Sequence, residues 1–507
     1  MNRNRSQKKI GIIFSYLYTF SQFIISFLFT PFLIKSFGIN DYGIYQMVSS
    51  FATGLAVMNF GISIIMSRNI ARARLENNEI EKENILFYGF KITLILFFIV
   101  GVIGYISSFL INPIYGDSLT ANELSIAIVM FYLLILHVGL IVIQSYFTGI
   151  IIGYERYGLT NFMKLLTQVL RVMIILIFVT LDLSIIYIVV ADLIVVALVL
   201  IVDMYYSFYK LKIRIKKNHS DSALVSLMIT FGLASFIQSI IRQVNVTLDK
   251  VILGSYMTPS DVTIYSIALL IITSSITMTK VFSSVFLPDA TRLVMKNANE
   301  EEMTKLITKP GRFQAMIMIG ILFGFLLIGK EFLSLWVGDQ FTVIYWPVLI
   351  MLIPSVLVNV IVTADIILDA KLKKMSRSII LGLTALINFI ITIILVPKIG
   401  MYGAAIGTSI SFILGNIIVL NIYYQKIIKI NIVKSYKEIF KGIFLSGLSS
   451  YIIVAIVNIF VKFDYLTKML VSGSLFSILY FGSLYLYGLN QKEKTLISKL
   501  LHLKFFD

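Results

Sequence analysis

Residues 184–217 read SIIYIVVADLIVVALVLIVDMYYSFYKLKIRIKK. The first two thirds are apolar over a length that crosses a bilayer, since a helix rising ~1.5 Å per residue needs ~20 residues to span the hydrocarbon. The run ends in Lys210, Lys212, Arg214, Lys216 and Lys217. A basic cluster of this kind holds its loop on the cytoplasmic side. The same pattern repeats along the chain. It predicts about fourteen spans, near 10–34, 42–66, 86–110, 123–150, 161–180, 184–207, 223–247, 259–287, 311–329, 345–368, 378–396, 401–424, 442–461 and 467–488. Most of the 43 Lys and Arg residues fall at the ends of the chain and in alternate gaps. Arg68, Arg72 and Arg74 mark one such gap, Arg292 and Lys296 another, and Lys371, Lys373 and Lys374 a third. The outer gaps are short and nearly uncharged, and Trp336 and Trp346 flank one of them, where interfacial aromatics belong. The expectation is an all-α polytopic membrane protein with both termini in the cytoplasm.

Composition agrees. The chain is 58% hydrophobic with a mean hydropathy of +0.92, against about 45–50% apolar in soluble domains. Uniformly apolar runs mean helices, because in hydrocarbon the backbone satisfies itself only as helices or closed barrels. The net charge of +17 is accounted for by cytoplasmic loops, which also attract anionic lipid headgroups, and so does not call for nucleic acid. With no Cys, thiolate metal sites, thiol catalysis and disulfides are excluded. Arg3, Arg5, Lys8 and Lys9 before an apolar run resemble a signal sequence. The run continues to about Ile34 without a small-residue cleavage site and reads as a retained first span. Segments 425–441 and 489–507 mix basic and apolar residues at helical spacing (Leu496, Lys499, Leu500, Leu503 and Lys504 in the tail), a pattern that lies along the membrane surface or forms solvated connectors. No gap is long enough for a catalytic domain, and there is no metal-ligand cluster, nucleophile triad or phosphate-binding loop. No cofactor or metal is implied, and the reading is not that of an enzyme.

The chain carries an internal repeat. Ile34-x-Ser36-Phe37 followed by Asp41-x-x-Ile44-Tyr45 parallels Leu253-x-Ser255-Tyr256 followed by Asp261-x-x-Ile264-Tyr265, at an offset of 220. Ala71-Arg72 and Thr291-Arg292 keep that offset, and Tyr205-Tyr206 and Tyr423-Tyr424 differ from it by two residues. Six spans per repeat preserve orientation, so the repeats are parallel about an axis along the membrane normal. This predicts six-helix bundles at 1–207 and 208–424, with two further helices and an amphipathic tail at 425–507. Two pseudo-symmetric bundles suit alternating access, with substrate at the repeat interface.

The segment Phe37-Gly38-Ile39-Asn40-Asp41-Tyr42-Gly43-Ile44-Tyr45, then Asn59-Phe60-Gly61-Ile62 and Ser67-Arg68, resembles the N-terminal signature of Wzx-type polysaccharide flippases. These belong to the multidrug/oligosaccharidyl-lipid/polysaccharide exporter superfamily. Asp249-Lys250-x-Ile252-Leu253-Gly254, followed by Ile264-Tyr265-Ser266-x-Ala268, resembles the second-half signature. The resemblance implies a MATE-like fold and a flippase in the inner or plasma membrane. Its cargo would be a polyprenyl-diphosphate-linked oligosaccharide, moved to the outer leaflet for surface polysaccharide assembly. Membrane lipids, a polysaccharide polymerase and other assembly proteins would be its partners. Two alternatives stay open: a cation-coupled multidrug antiporter of the same superfamily, and a lipid II flippase, whose substrate is also a polyprenyl diphosphate.

Ionisable groups at membrane depth are costly, about 2.5–3.5 kcal/mol on insertion scales, and usually face an interior. Arg171, Arg242 and Lys280 are the cations inside spans, and Gln238 shares a helix face with Arg242 at i, i+4. These four are the candidate substrate-binding residues, because guanidinium and ammonium groups bind phosphate and amides bind sugar hydroxyls. Alternatively, Arg171 forms an ion pair with Asp192, Arg242 reaches the outer interface or Asp249, and Lys280 reaches the headgroups. Asp192, Asp365 and His137 are candidate ion-coupling residues. Arg312 reads as an anchor, Asn59 as interhelical glue, and Pro31 and Pro354 as kink positions.

Overall fold

The computed structural model describes residues 2–217, 222–284, 286–296, 298–371, 373–461 and 464–502. They are mostly helical, with no strand among the described residues, and fourteen helices are long and apolar enough to cross a membrane. The chain divides by contacts into two compact units, Met1–Ser266 and Ile267–Asp507. The first contains α1 (Asn2–Phe37), α2 (Ile39–Leu55), α3 (Ile62–Leu75), α4 (Glu79–Ser108), α5 (Ile111–Tyr115), α6 (Ala121–Gly153), α7 (Tyr157–Thr180), α8 (Ile186–Tyr205), α9 (Ser222–Tyr256) and the opening of α10 (Pro259–Ser284). The second holds the rest of α10, then α11 (Leu287–Met295), α12 (Glu300–Val337), α13 (Tyr345–Asn359), α14 (Thr363–Ala370), α15 (Lys374–Ile399), α16 (Met401–Ser411), α17 (Asn421–Ile428), α18 (Ile432–Phe440), α19 (Ile443–Phe460), α20 (Tyr465–Ser483) and α21 (Gln491–His502).

In the first unit α6 is the central helix, packed by α2, α3, α4 and α8. It starts at a capping box in which Thr120 and Glu123 satisfy each other's backbone N–H groups. Its approach to α3 depends on Gly149, where an added Cβ would stand 2.8 Å from the Ser63 carbonyl oxygen. Buried Tyr146 donates to the Leu86 carbonyl of α4 at 2.8 Å. The opening of α10 meets the start of α2 by a reciprocal contact. An added Cβ at Gly43 would overlap the Pro259 carbonyl, and Thr263 donates to the Ile39 carbonyl at 2.6 Å. Ser260 meets Asn40 between them, 220 residues apart in sequence.

The second span is interrupted. A short 3-10 turn, Ala56–Asn59, separates α2 from α3, and Phe60 and Gly61 both adopt left-handed φ, 54° and 66°. Pro31 and Pro354, the expected kink positions, lie inside α1 and α13, which continue past them. The tenth span ends at Asn359, and α14 is a separate short helix.

In the second unit α12 is central, packed by α13, α18, α19 and α20. Arg312, on α12, is buried and fixes the basic connectors: it pairs with Glu493 at 2.7 Å and donates to the carbonyls of Glu438, Lys441 and Gly488. α18 turns Ile432, Ser435 and Ile439 inward. Of the tail residues named above, Leu503 and Lys504 lie outside the described residues, as do the side chains of Leu496, Lys499 and Leu500.

Candidate functional site

The polar groups of the first unit collect in two places. One is a layer about 10 Å, or six to seven residues, inside the helix ends at Ile39, Ile186 and Tyr256. Arg171 of α7 spans the gap to α8, with its Nε donating to Asp192 at 2.5 Å and its Nη2 to the second carboxylate oxygen at 3.4 Å. The same Nη2 donates to the Tyr45 hydroxyl of α2 at 3.1 Å. Next to Tyr45 on α2, Gln46 donates to Tyr42 at 2.8 Å and accepts from Lys250 of α9 at 2.9 Å. His137 of α6 lies within electrostatic range of Arg171 and Asp192. Four helices thus supply two hydrogen-bonded groups in one polar layer.

The charges in this layer do not cancel evenly. Asp192 neutralises Arg171, whose side chain stays about a third exposed. Lys250 has no carboxylate within ion-pair distance among the described residues. A cation desolvated without a counter-ion is expensive, so its position favours an anion.

The second place is a cavity of about 280 Å³ towards the opposite ends of the helices, between α1, α3, α6, α7 and α8. Asp203 of α8 lies in its wall, only 4% exposed, and accepts from Thr148 at 2.9 Å. Lys164, Gln144 and Gln168 line the same space.

Arg171, Asp192 and His137 are therefore brought together by the fold. Gln238 sits on α9, partly buried, some three turns from Lys250. Arg242 and Lys280 lie on α9 and α10, and their side chains are outside the described set. Asp365 belongs to α14 in the other unit, where Tyr424 donates to it at 2.6 Å and Arg377 pairs with it at 3.2 Å. Buried charge in the second unit is paired in the same way, as in Arg312 with Glu493 and Lys468 with Glu331.

A family model described as "Polysaccharide biosynthesis protein" matches residues 9–288, more than half of the chain and all of this polar layer. The chain belongs to that family. A curated relative, the "Probable low-salt glycan biosynthesis flippase Agl15" of Haloferax volcanii, is 22% identical over 171 residues. That alignment spans 34% of this chain and 36% of the relative. Among solved structures, "Lipid II flippase MurJ, inward closed conformation" superposes with a TM-score of 0.73 at 15% identity, covering 93% of this chain and 98% of its own. A multidrug resistance MATE family transporter of the MOP superfamily, in an inward-facing conformation, gives a TM-score of 0.64 at 14% identity, covering 84% and 99%. These likenesses establish the fold: an all-α, multi-pass membrane protein with the MATE-like arrangement that the sequence led us to expect.

Two residues of this family member escaped the sequence reading. Lys250 lies beyond the expected end of the seventh span at 247, whereas α9 runs to Tyr256. The absence of any acid three or four residues to either side of it was the available signal. Asp203 fell at the end of a span, where a carboxylate normally reaches water.

Proposed function

We propose that this protein is a flippase that carries a polyprenyl-diphosphate-linked oligosaccharide across the cell membrane for surface polysaccharide assembly. Both termini are cytoplasmic in this reading, and the cargo moves from the cytoplasmic to the outer leaflet. The family match over residues 9–288 carries it. The polar layer supports it, because a diphosphate that leaves water needs fixed cations and hydrogen-bond donors in place of its lost hydration. Lys250, with no acid partner among the described residues, supplies the charge. Arg171 supplies oriented N–H groups, and its Nη1 makes no bond to any described residue. The repeats at 1–207 and 208–424 rock against each other while the lipid tail stays in the bilayer, and the helices of 425–507 accompany the second repeat. A polysaccharide polymerase or another assembly protein takes the product at the outer face.

The test is transport by purified protein in liposomes carrying a fluorescent polyprenyl-diphosphate glycan. Wild type moves the probe. Lys250→Glu reduces movement by at least about tenfold, the size of one hydrogen bond to a charged group, and Lys250→Arg retains most of it. Export of cationic drugs with no movement of the lipid probe would instead identify a multidrug antiporter. Movement of lipid II alone would identify a lipid II flippase.

A further inference from the structure

The cavity around Asp203 has no part in the reading just given. Its wall is of mixed character. Asp203 is buried and keeps one carboxylate oxygen unbonded, since Thr148 is its single donor among the described residues. Gln144 makes no hydrogen bond to any described residue, and Gln168 uses its carbonyl to accept from Ser21, leaving its NH₂ to the cavity. The Lys164 ammonium has no acid partner among the described residues and stands 6.0 Å from the ring of Tyr18, which lines the same space.

Each simple class of ligand fits only part of this wall. A metal cation would meet one carboxylate and a lysine that repels it. An inorganic anion would meet the carboxylate. An apolar drug would strand a buried charge and two amides. A ligand rich in hydroxyl groups satisfies all of them: hydroxyls donate to Asp203, accept from Gln144, Gln168 and Lys164, and present a C–H face to the tyrosine. We propose that this cavity is a saccharide subsite, seating a sugar ring of the cargo while the diphosphate lies elsewhere in the protein. The inference rests on the flippase reading and names the part of the substrate that this site holds.

Paired transport assays test it. Liposomes carry full-length protein and either polyprenyl diphosphate without sugar or the same lipid bearing N-acetylglucosamine, glucose or galactose. The ratio of sugar-bearing to sugar-free transport falls about tenfold relative to wild type for Asp203→Asn, as loss of one hydrogen bond to a charged group predicts, and about fivefold for Gln144→Ala, whose amide makes a neutral hydrogen bond. Gln144→Ala removes a side chain that makes no hydrogen bond to any described residue, so it carries the test if Asp203→Asn does not fold. An unchanged ratio in both variants overturns the subsite. A loss that tracks sodium or pH equally for both lipids marks Asp203 as an ion site and also overturns it. Wild-type protein that moves neither lipid refutes the flippase reading itself, and the subsite falls with it.

Discussion

At the scale of single residues, the protein treats its buried cations in two ways. Arg312 is enclosed with Glu493, both side chains less than a tenth exposed, and its remaining N–H groups are taken by backbone carbonyls. Such a pair gains little over an apolar substitute, but removing one partner leaves a charge stranded. Arg312→Ala should therefore lower stability by about 3–5 kcal/mol, read as a lower thermal midpoint in detergent. Replacing both together, Arg312→Met with Glu493→Leu, should recover most of it. Lys250 is the opposite case, with an amide for a partner and no acid among the described residues. The Arg171–Asp192 pair was legible in the sequence because both residues fall at similar depth on consecutive spans. Lys250 was not, because hydropathy marks where a helix becomes polar and not where it ends. The partners of Arg312 were hidden for another reason: Glu438 and Glu493 are over a hundred residues away, in segments that read equally well as solvated connectors.

At the scale of elements, length and hydropathy were enough to place the spans, since each must bury its own backbone hydrogen bonds in lipid. They did not reveal the break in the second. Proline is one sequence signal for a bend, but the break between α2 and α3 falls at Phe60-Gly61, where left-handed φ is needed and proline is absent. Packing imposes it. Gly232 of α9 leaves room for the Phe60 ring, and an added Cβ at Gly61 would stand 2.7 Å from the Ser235 Cβ. Gly61→Ala should thus cost about 1–3 kcal/mol, through left-handed strain and overpacking together. Gly54→Ala, a few residues earlier in α2 with nothing within 4 Å, should be neutral or stabilise by up to about 1 kcal/mol. Thermal midpoints of the two purified variants make the comparison, and equal effects would remove the break's special status.

At the scale of the whole molecule, the repeat read from scattered landmarks acquires a physical contact. Gly43 faces Pro259, and Thr263 bonds Ile39. Under the 220-residue offset, position 43 corresponds to 263 and position 39 to 259, so each contact is the image of the other. Asn40 meets Ser260, its own equivalent, between them. This reciprocity is what a two-fold relation requires of a self-complementary patch. It also explains why glycine stands in the first signature while threonine occupies its counterpart: the Thr263 hydroxyl reaches a carbonyl, whereas at position 43 the carbonyl of Pro259 occupies the space of a side chain. Gly43→Val should therefore separate the start of α2 from the opening of α10 and strip Thr263 of its acceptor. The expected cost is about 1–3 kcal/mol of overpacking, with transport reduced more than stability, because α2 also carries Tyr45 and Gln46. Thr263→Val removes the hydrogen bond but keeps the shape, and should cost only about 0.5–1.5 kcal/mol. If Gly43→Val melts and transports like wild type, the two signatures do not meet in the working protein, and the pseudo-symmetric reading of the chain loses its structural support.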